Sequence, residues 1–327
     1  MKIKLLLSLL VLVAVTLSAA DRFSFNASSP GQLDVLHDGK IVARYMHAYD
    51  KSSPARLAET YKPYLHVFDA AGAAPITKGA GGDFTHHRGI YIGWNKITFN
   101  GKSYDRWHMK GGEQVHQKFL AQTAGGDRAT FTSLVYWNDE AGQEFIVEER
   151  TMTVSAGPAP AYAQIDFTSK LTAPRGEVKL DGDPEHAGIH FRPANNVERT
   201  KTLYVFPREN ADAHKDKDYP WVGETFTLAG RMSSVVSIGH VGNPSGTRWS
   251  AYRDYGRFGA FPTATIKSGE SVTFKYRFLV AAGEMLPAAP VQKSANDFSG
   301  TSDPTPKTTV LRSEQPKAAA KPAEPKK

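Results

Sequence analysis

The 327-residue sequence contains no cysteine. Disulfides, thiolate metal sites and anchoring through a lipidated cysteine are therefore excluded, and an apolar core must hold the fold. Long apolar runs are also scarce. The one present, Leu5 to Leu17, follows Lys2 and Lys4 and ends in Ser18, Ala19 and Ala20. A short positive segment, a run too short for a bilayer of about 30 Å and small residues behind it describe a secretory leader over residues 1–20, with the mature chain starting at Asp21. No second stretch of spanning length follows, so no membrane span is expected after cleavage, and the expected location is periplasmic or secreted. Charge of one sign is scarce as well. The formal +7 falls to +5 without Lys2 and Lys4, and seven Lys or Arg against four Asp or Glu after residue 290 carry +3 of that. About +2 on the remainder leaves no electrostatic footprint for nucleic acid.

Long helical periodicity is missing too. Between Asp21 and Pro287 the chain alternates short apolar or period-two stretches with Gly, Pro, Asn and Asp. Gln32 to Leu36, Lys40 to Tyr45, Gly89 to Trp94, Ala129 to Trp137, Glu144 to Val154, Ala161 to Leu171, Ala187 to Arg192, Ser233 to His240 and Ser271 to Val280 read as strands. A short helix fits Ser53 to Tyr61, closed by Pro63. Strand after strand with no alternating helix predicts an all-β fold, a large antiparallel β-sandwich forming a single domain over residues 21–287. From Ala288 onward Pro, Ala and Lys dominate and large apolar residues are few, so residues 288–327 read as a disordered tail.

Four stretches carry chemistry. In Asp83-Phe84-Thr85-His86-His87-Arg88-Gly89 a Gly-rich loop delivers two His and an Arg to a strand. On a regular strand His86 and Arg88 share one face, and His87 and Tyr91 the other. In Glu185-His186-Ala187-Gly188-Ile189-His190-Phe191-Arg192, the residues His186, His190 and Arg192 line one face, while Ala187, Ile189 and Phe191 line a core face. His186 and His190, with His86 arriving from elsewhere, could bind a divalent metal. The general base of the helical zinc motif is absent, since Ala187 follows His186. Asp105-Arg106-Trp107-His108 offers Trp107 to stack on a pyranose and His108 beside it; a buried plug is the alternative for Trp107. Arg253-Asp254-Tyr255-Gly256-Arg257 places Asp254 and Arg257 at a bent edge, either on a ligand or paired with each other. Glu148 and Glu149 alternate along a strand, one facing a pocket and one facing water.

These residues resemble a bacterial family of unknown function whose members are often labelled methane oxygenase or PmoA-like. The resemblance runs from Tyr61-Lys62-Pro63-Tyr64 to Tyr276-Arg277-Phe278-Leu279 and rests on His86-His87-Arg88-Gly89, the His186 to Arg192 strand and Arg253 to Gly259. Phe84-Thr85 stands where that family usually has His-Pro. A membrane-bound oxygenase subunit needs several spanning helices, which this sequence lacks, so methane chemistry is not carried over. The resemblance implies a sandwich similar to the galactose-mutarotase supersandwich, a fold on which many reactions occur.

Three functions fit this inventory. The first is an exported carbohydrate-active enzyme of lyase, epimerase or hydrolase type, with His86, His87, His186 and His190 moving protons and Arg88, Trp107, His108, Arg192, Asp254 and Arg257 holding a sugar or glycan. No pair of acids stands out, which argues against hydrolysis by two carboxylates. The others are a noncatalytic glycan-binding envelope protein and a His-cluster metal-dependent oxidoreductase. A closed cleft on which His86, His190 and Arg192 converge favours catalysis, and a flat aromatic platform favours binding.

Overall fold

The computed structural model describes residues 22–314. The leader and residues 315–327 of the expected tail lie outside the described residues. All nine stretches read as strands are strands, with ends shifted by at most two residues, from Gln32–His37 and Lys40–Met46 through Ser271–Ala282. Period-two patterning produces them. In Arg128–Asn138, buried Phe131, Val135 and Trp137 alternate with half-buried Thr130, Thr132 and Tyr136, and each inward side chain contributes about 1.5–3 kcal/mol on burial.

Two antiparallel sheets face each other. The smaller has six strands and ends in Tyr64–Val67, Ile90–Trp94 and Ala187–Phe191; the larger has nine, running from Thr309–Arg312 at one edge to Gln114–Gly125 at the other. Rings from the two sheets meet in one continuous core: Trp94 lies 6.0 Å from Trp137 and 5.3 Å from Phe274, and Phe191 lies 5.9 Å from Phe226. This is the expected sandwich. No helix among the described residues is long and apolar enough to cross a membrane.

Polar residues also enter the core. Glu148 accepts from Trp137 Nε1 at 2.8 Å, Ser169 Oγ at 2.7 Å and Arg150 Nε and Nη2 at 2.8 Å each, while Arg150 Nη1 donates to the Pro63 carbonyl at 3.0 Å. Glu148 is therefore an interior strut, correcting the expectation that one glutamate of the pair faces a pocket; Glu149 is exposed against Lys170.

Helix α1, Pro54–Thr60, fills the expected window. Ser53 Oγ accepts from Arg56 N, and a proline opens the helix, where its missing N–H costs nothing.

The disordered tail is corrected over its first part. Residues Ala288–Ser299 form a second helix, α2, and Thr309–Arg312 pairs antiparallel with Leu203–Phe206. The prolines misled: Pro287 is the N-cap and Pro290 lies in the first turn, where proline is tolerated, and Gly300 closes the helix in the left-handed region at φ 68°. Val291 and Ala295 pack on Trp221, Val236 and Leu279, covering part of the outer face of the nine-stranded sheet.

Candidate functional site

His190 lies on the strand Ala187–Phe191, whose core face is Ala187, Ile189 and Phe191 as expected. That strand pairs with Ile90–Trp94 in the register His190 opposite Tyr91. Glycine lets neighbouring backbone approach this pair closely at two points. A Cβ on Gly89, at φ 29°, would lie 2.1 Å from the Leu65 carbonyl oxygen, and one on Gly188, at φ 83°, 1.9 Å from that of Ala260.

His86 and His87 precede the strand in a turn, so the alternation expected of a regular strand does not apply. His86 turns toward His108 and His186, whose ring centroids lie 4.3 and 6.1 Å away, and those two rings are 5.0 Å apart. One ring nitrogen from each of the three lies within 4.8 Å of the others. Two of these imidazoles are clamped alike. Asp105 Oδ2 holds His108 Nδ1 at 2.8 Å, and Asp183 Oδ1 holds His186 Nδ1 at 2.9 Å. Each aspartate stands three residues before its histidine and also accepts backbone N–H groups of the turn, Trp107 and His108 for Asp105, and Glu185 for Asp183. The repeated Asp-x-x-His spacing is a sequence signal that the reading above passed over.

His87 turns the other way. Both of its ring nitrogens are buried without a partner, its ring lies 5.6 Å from His190 and 6.0 Å from Tyr255, and it forms part of the wall of a cavity of about 220 Å³. The other walls are Phe84, Glu185, His186, Arg199, Arg253, Asp254, Tyr255 and Glu314. Phe84 takes φ 51°, costly for a bulky residue, and lies 4.7 Å from Tyr255 as a half-exposed flap. The carboxylates are engaged. Glu185 binds the Arg253 guanidinium and accepts from Tyr252 at 2.9 Å, and Asp254 lies 3.8 Å from Arg199 rather than paired with Arg257. Glu314 comes from the segment expected to be disordered.

The remaining expected site residues sit behind this wall. His190 is buried, with Nε2 donating to the Arg88 carbonyl at 3.1 Å; it does not join the three-histidine cluster, which corrects the expected pairing with His186 as ligands. Trp107 is fully buried between Tyr91, at 5.1 Å, and His190, at 4.8 Å, so it is floor and cannot stack on a sugar. Arg257 lies beneath it, its guanidinium 6.0 Å from the Trp107 ring and donating to Ser250 Oγ. Arg88 is spent on backbone, and Arg192 in part. Arg88 donates to the Ala58, Glu59 and Thr85 carbonyls, satisfying the open end of α1, and Arg192 donates to those of Pro193 and Tyr255. Arg88 is not available to hold a ligand, which corrects its assignment as a sugar-binding group; Arg192 is buried with its Nε unpartnered.

Lys62 was missed. It is 1% exposed, lies 3.7 Å over the Tyr91 ring and donates to the carbonyls of His86 at 2.8 Å and Trp107 at 2.6 Å, tying together the two turns that carry His86 and His108.

Burial sets the charge states. It pushes His86 down to about 2, helped by His108 and Lys62, and pushes His87 and His190 well below the usual histidine range with Arg257 close by. The imidazoles are neutral at pH 7. Burial pushes Asp183 up, but hydrogen bonds from His186 and Asn95 hold it down to about 2.

A larger cavity, about 450 Å³, lies between α2 and the nine-stranded sheet, lined by His240, Trp249 and Tyr276. Its Asp218 is committed to the backbone of Gly246 and Thr247, and no cluster of potential ligands forms there among the described residues.

No curated protein matches the chain. Among solved structures it is similar to a putative kojibiose phosphorylase from human microbiome, at 8% identity and TM-score 0.37, covering 80% of this chain and 29% of that one. It is also similar to a heparan sulfate lyase from Pedobacter heparinus, at 10% identity and TM-score 0.42, covering 80% and 37%, and to galactose 1-epimerase from Lactobacillus acidophilus NCFM, at 10% identity and TM-score 0.34, covering 80% and 94%. The chain spans about a third of the length of the first two. Both sheets and every histidine of the site fall within residues 32–296, apart from two edge strands, and over those residues the chain matches and belongs to DUF6807, a family of unknown function.

Proposed function

We propose that this protein is a carbohydrate-active enzyme that seats one sugar ring against Tyr255 and moves a proton at it through His87. The observation that carries the reading is His87 itself, an imidazole with both nitrogens unpartnered in the wall of a polar cavity. A cavity of about 220 Å³ is smaller than the roughly 300–1,000 Å³ of drug-sized sites, which suits a single ring rather than a chain. Its lining offers carboxylates and guanidiniums to hydroxyls and the faces of Tyr255 and Phe84 to C–H edges.

Proton transfer by histidine suits this lining better than hydrolysis by two carboxylates. Three acids do meet at the cavity, but Glu185 is held by Arg253 and Tyr252, Asp254 lies beside Arg199 and Glu314 pairs with His214 at 2.6 Å, which leaves none as a free acid. Elimination or epimerisation at a carbon next to a carbonyl or carboxylate matches a neutral imidazole beside Arg199 and Arg253. The leader expected at residues 1–20 would put this chemistry in the periplasm or outside the cell.

Purified protein, with Asp21 as its first residue by intact mass, screened against glycosides, keto-glycosides and uronates with mass detection should yield a product. His87→Ala should lower that turnover at least about 10²-fold with an unchanged melting curve. Equal turnover by the variant, or no product from any substrate, overturns the reading.

A further inference from the structure

Three imidazole nitrogens converge at the edge of the cavity. Hydrogen bonding to Asp105 and Asp183 places the proton of His108 and of His186 on Nδ1, so each presents a lone pair from Nε2. His86 Nε2 is buried and has no partner. A buried nitrogen without a partner costs about 1–3 kcal/mol. A shared proton would satisfy two of the three at most. A cation satisfies all three.

We propose that His86, His108 and His186 bind one divalent transition-metal ion of the zinc class, with the remaining coordination position open to the cavity. The donor set is three imidazole nitrogens, the type of ligand that suits zinc and its neighbours. Asp105 and Asp183 supply the carboxylate–histidine pairs that orient such ligands, and their two negative charges match a divalent ion. The nitrogens lie within 4.8 Å of each other; tetrahedral coordination at 2.0–2.1 Å needs about 3.3 Å, so the rings close by roughly 1.5 Å at most as the ion enters. Lys62 fixes the backbones that carry two of them, so closure is a matter of side-chain rotation. His186 belongs to both the cluster and the cavity wall, and the His86 and His87 rings are 4.3 Å apart. An ion there would hold a substrate oxygen beside the imidazole that takes the proton. In that role the inference rests on the sugar reading; as a binding site it stands without it.

Untagged protein, stripped with chelator and titrated with Zn²⁺ alone, should bind one ion per chain with sub-micromolar affinity. Co²⁺ in its place should give the visible absorption of a low-symmetry nitrogen site. His108→Ala and His186→Ala should each weaken binding at least 100-fold, and Asp105→Asn and Asp183→Asn about 10–100-fold. The two Asn variants keep the fold testable should a His variant misfold. No stoichiometric ion at micromolar Zn²⁺, or unchanged affinity in the folded variants, overturns the site. Because binding is read without substrate, a bound ion with no sugar turnover keeps the site and discards the sugar reading, and turnover with no ion bound does the reverse.

Discussion

Charged residues in this protein divide by what their partners leave free. Glu148 uses both oxygens on Trp137, Ser169 and Arg150, and Arg150 in turn holds the Pro63 carbonyl next to Lys62. Removing one member of such a pair strands the other. Glu148→Ala should cost about 3–5 kcal/mol by urea denaturation, while an apolar replacement of both Glu148 and Arg150 should recover much of that loss. Equal losses in the single and double variants would contradict the pairing. The same accounting explains what the sequence concealed. A lone Arg88 beside two histidines has the look of a ligand group, yet its donors are consumed by carbonyls some thirty residues away in the chain, a demand that no local pattern displays. The histidines themselves were visible. Their partition into a cluster of three and a separate His87 depends on the turn at His86-His87, and strand alternation could not foresee it.

At the level of elements, strands were readable and the chain's end was not. Strand signals survive because alternation is local: Ala187, Ile189 and Phe191 declare a buried face without reference to anything distant. Helix α2 depends on a surface supplied by other strands, and its few apolar residues suffice only because Trp221, Val236 and Leu279 present an apolar face to them. Deleting residues 288–327 should therefore destabilise the protein by at least about 3 kcal/mol, since Val291 and Leu279 each lose burial worth roughly 1.5–3 kcal/mol. A chemical denaturation midpoint unchanged by the deletion would return the segment to the status of a passive tail.

Across the whole molecule, buried titratable groups of opposite kinds make stability depend on pH. Burial pushes His66 down to about 4, with Arg44 adding to it, and pushes His190 well below 6.5. Depressed imidazoles cost nothing above pH 6.5; below it the unfolded chain takes up protons that the folded one refuses, and stability falls. Burial pushes Glu224 well above 4.5, so stability from that group is lost as pH rises past 4.5. Between about pH 4.5 and 6 the depressed imidazoles of His66, His86, His87, His116 and His190 together outweigh the one carboxyl of Glu224, so stability rises with pH. Melting temperature should thus climb from pH 4.5 to about 6.5, and Glu224→Gln should steepen the climb. A profile that Glu224→Gln leaves unaltered would show that this carboxyl is not the cause.

The position of Glu314 also bears on when the protein becomes competent. This residue lies just after the strand Thr309–Arg312, its backbone N–H donates to the Tyr252 carbonyl at 2.7 Å, and its side chain helps enclose the cavity opposite His87. A chain emerging from the ribosome or from a translocation pore holds every histidine of the cluster long before this wall arrives. Closure of this wall therefore waits until Glu314 has been made, and chains truncated before it present an open trough where the longer chain has a pocket.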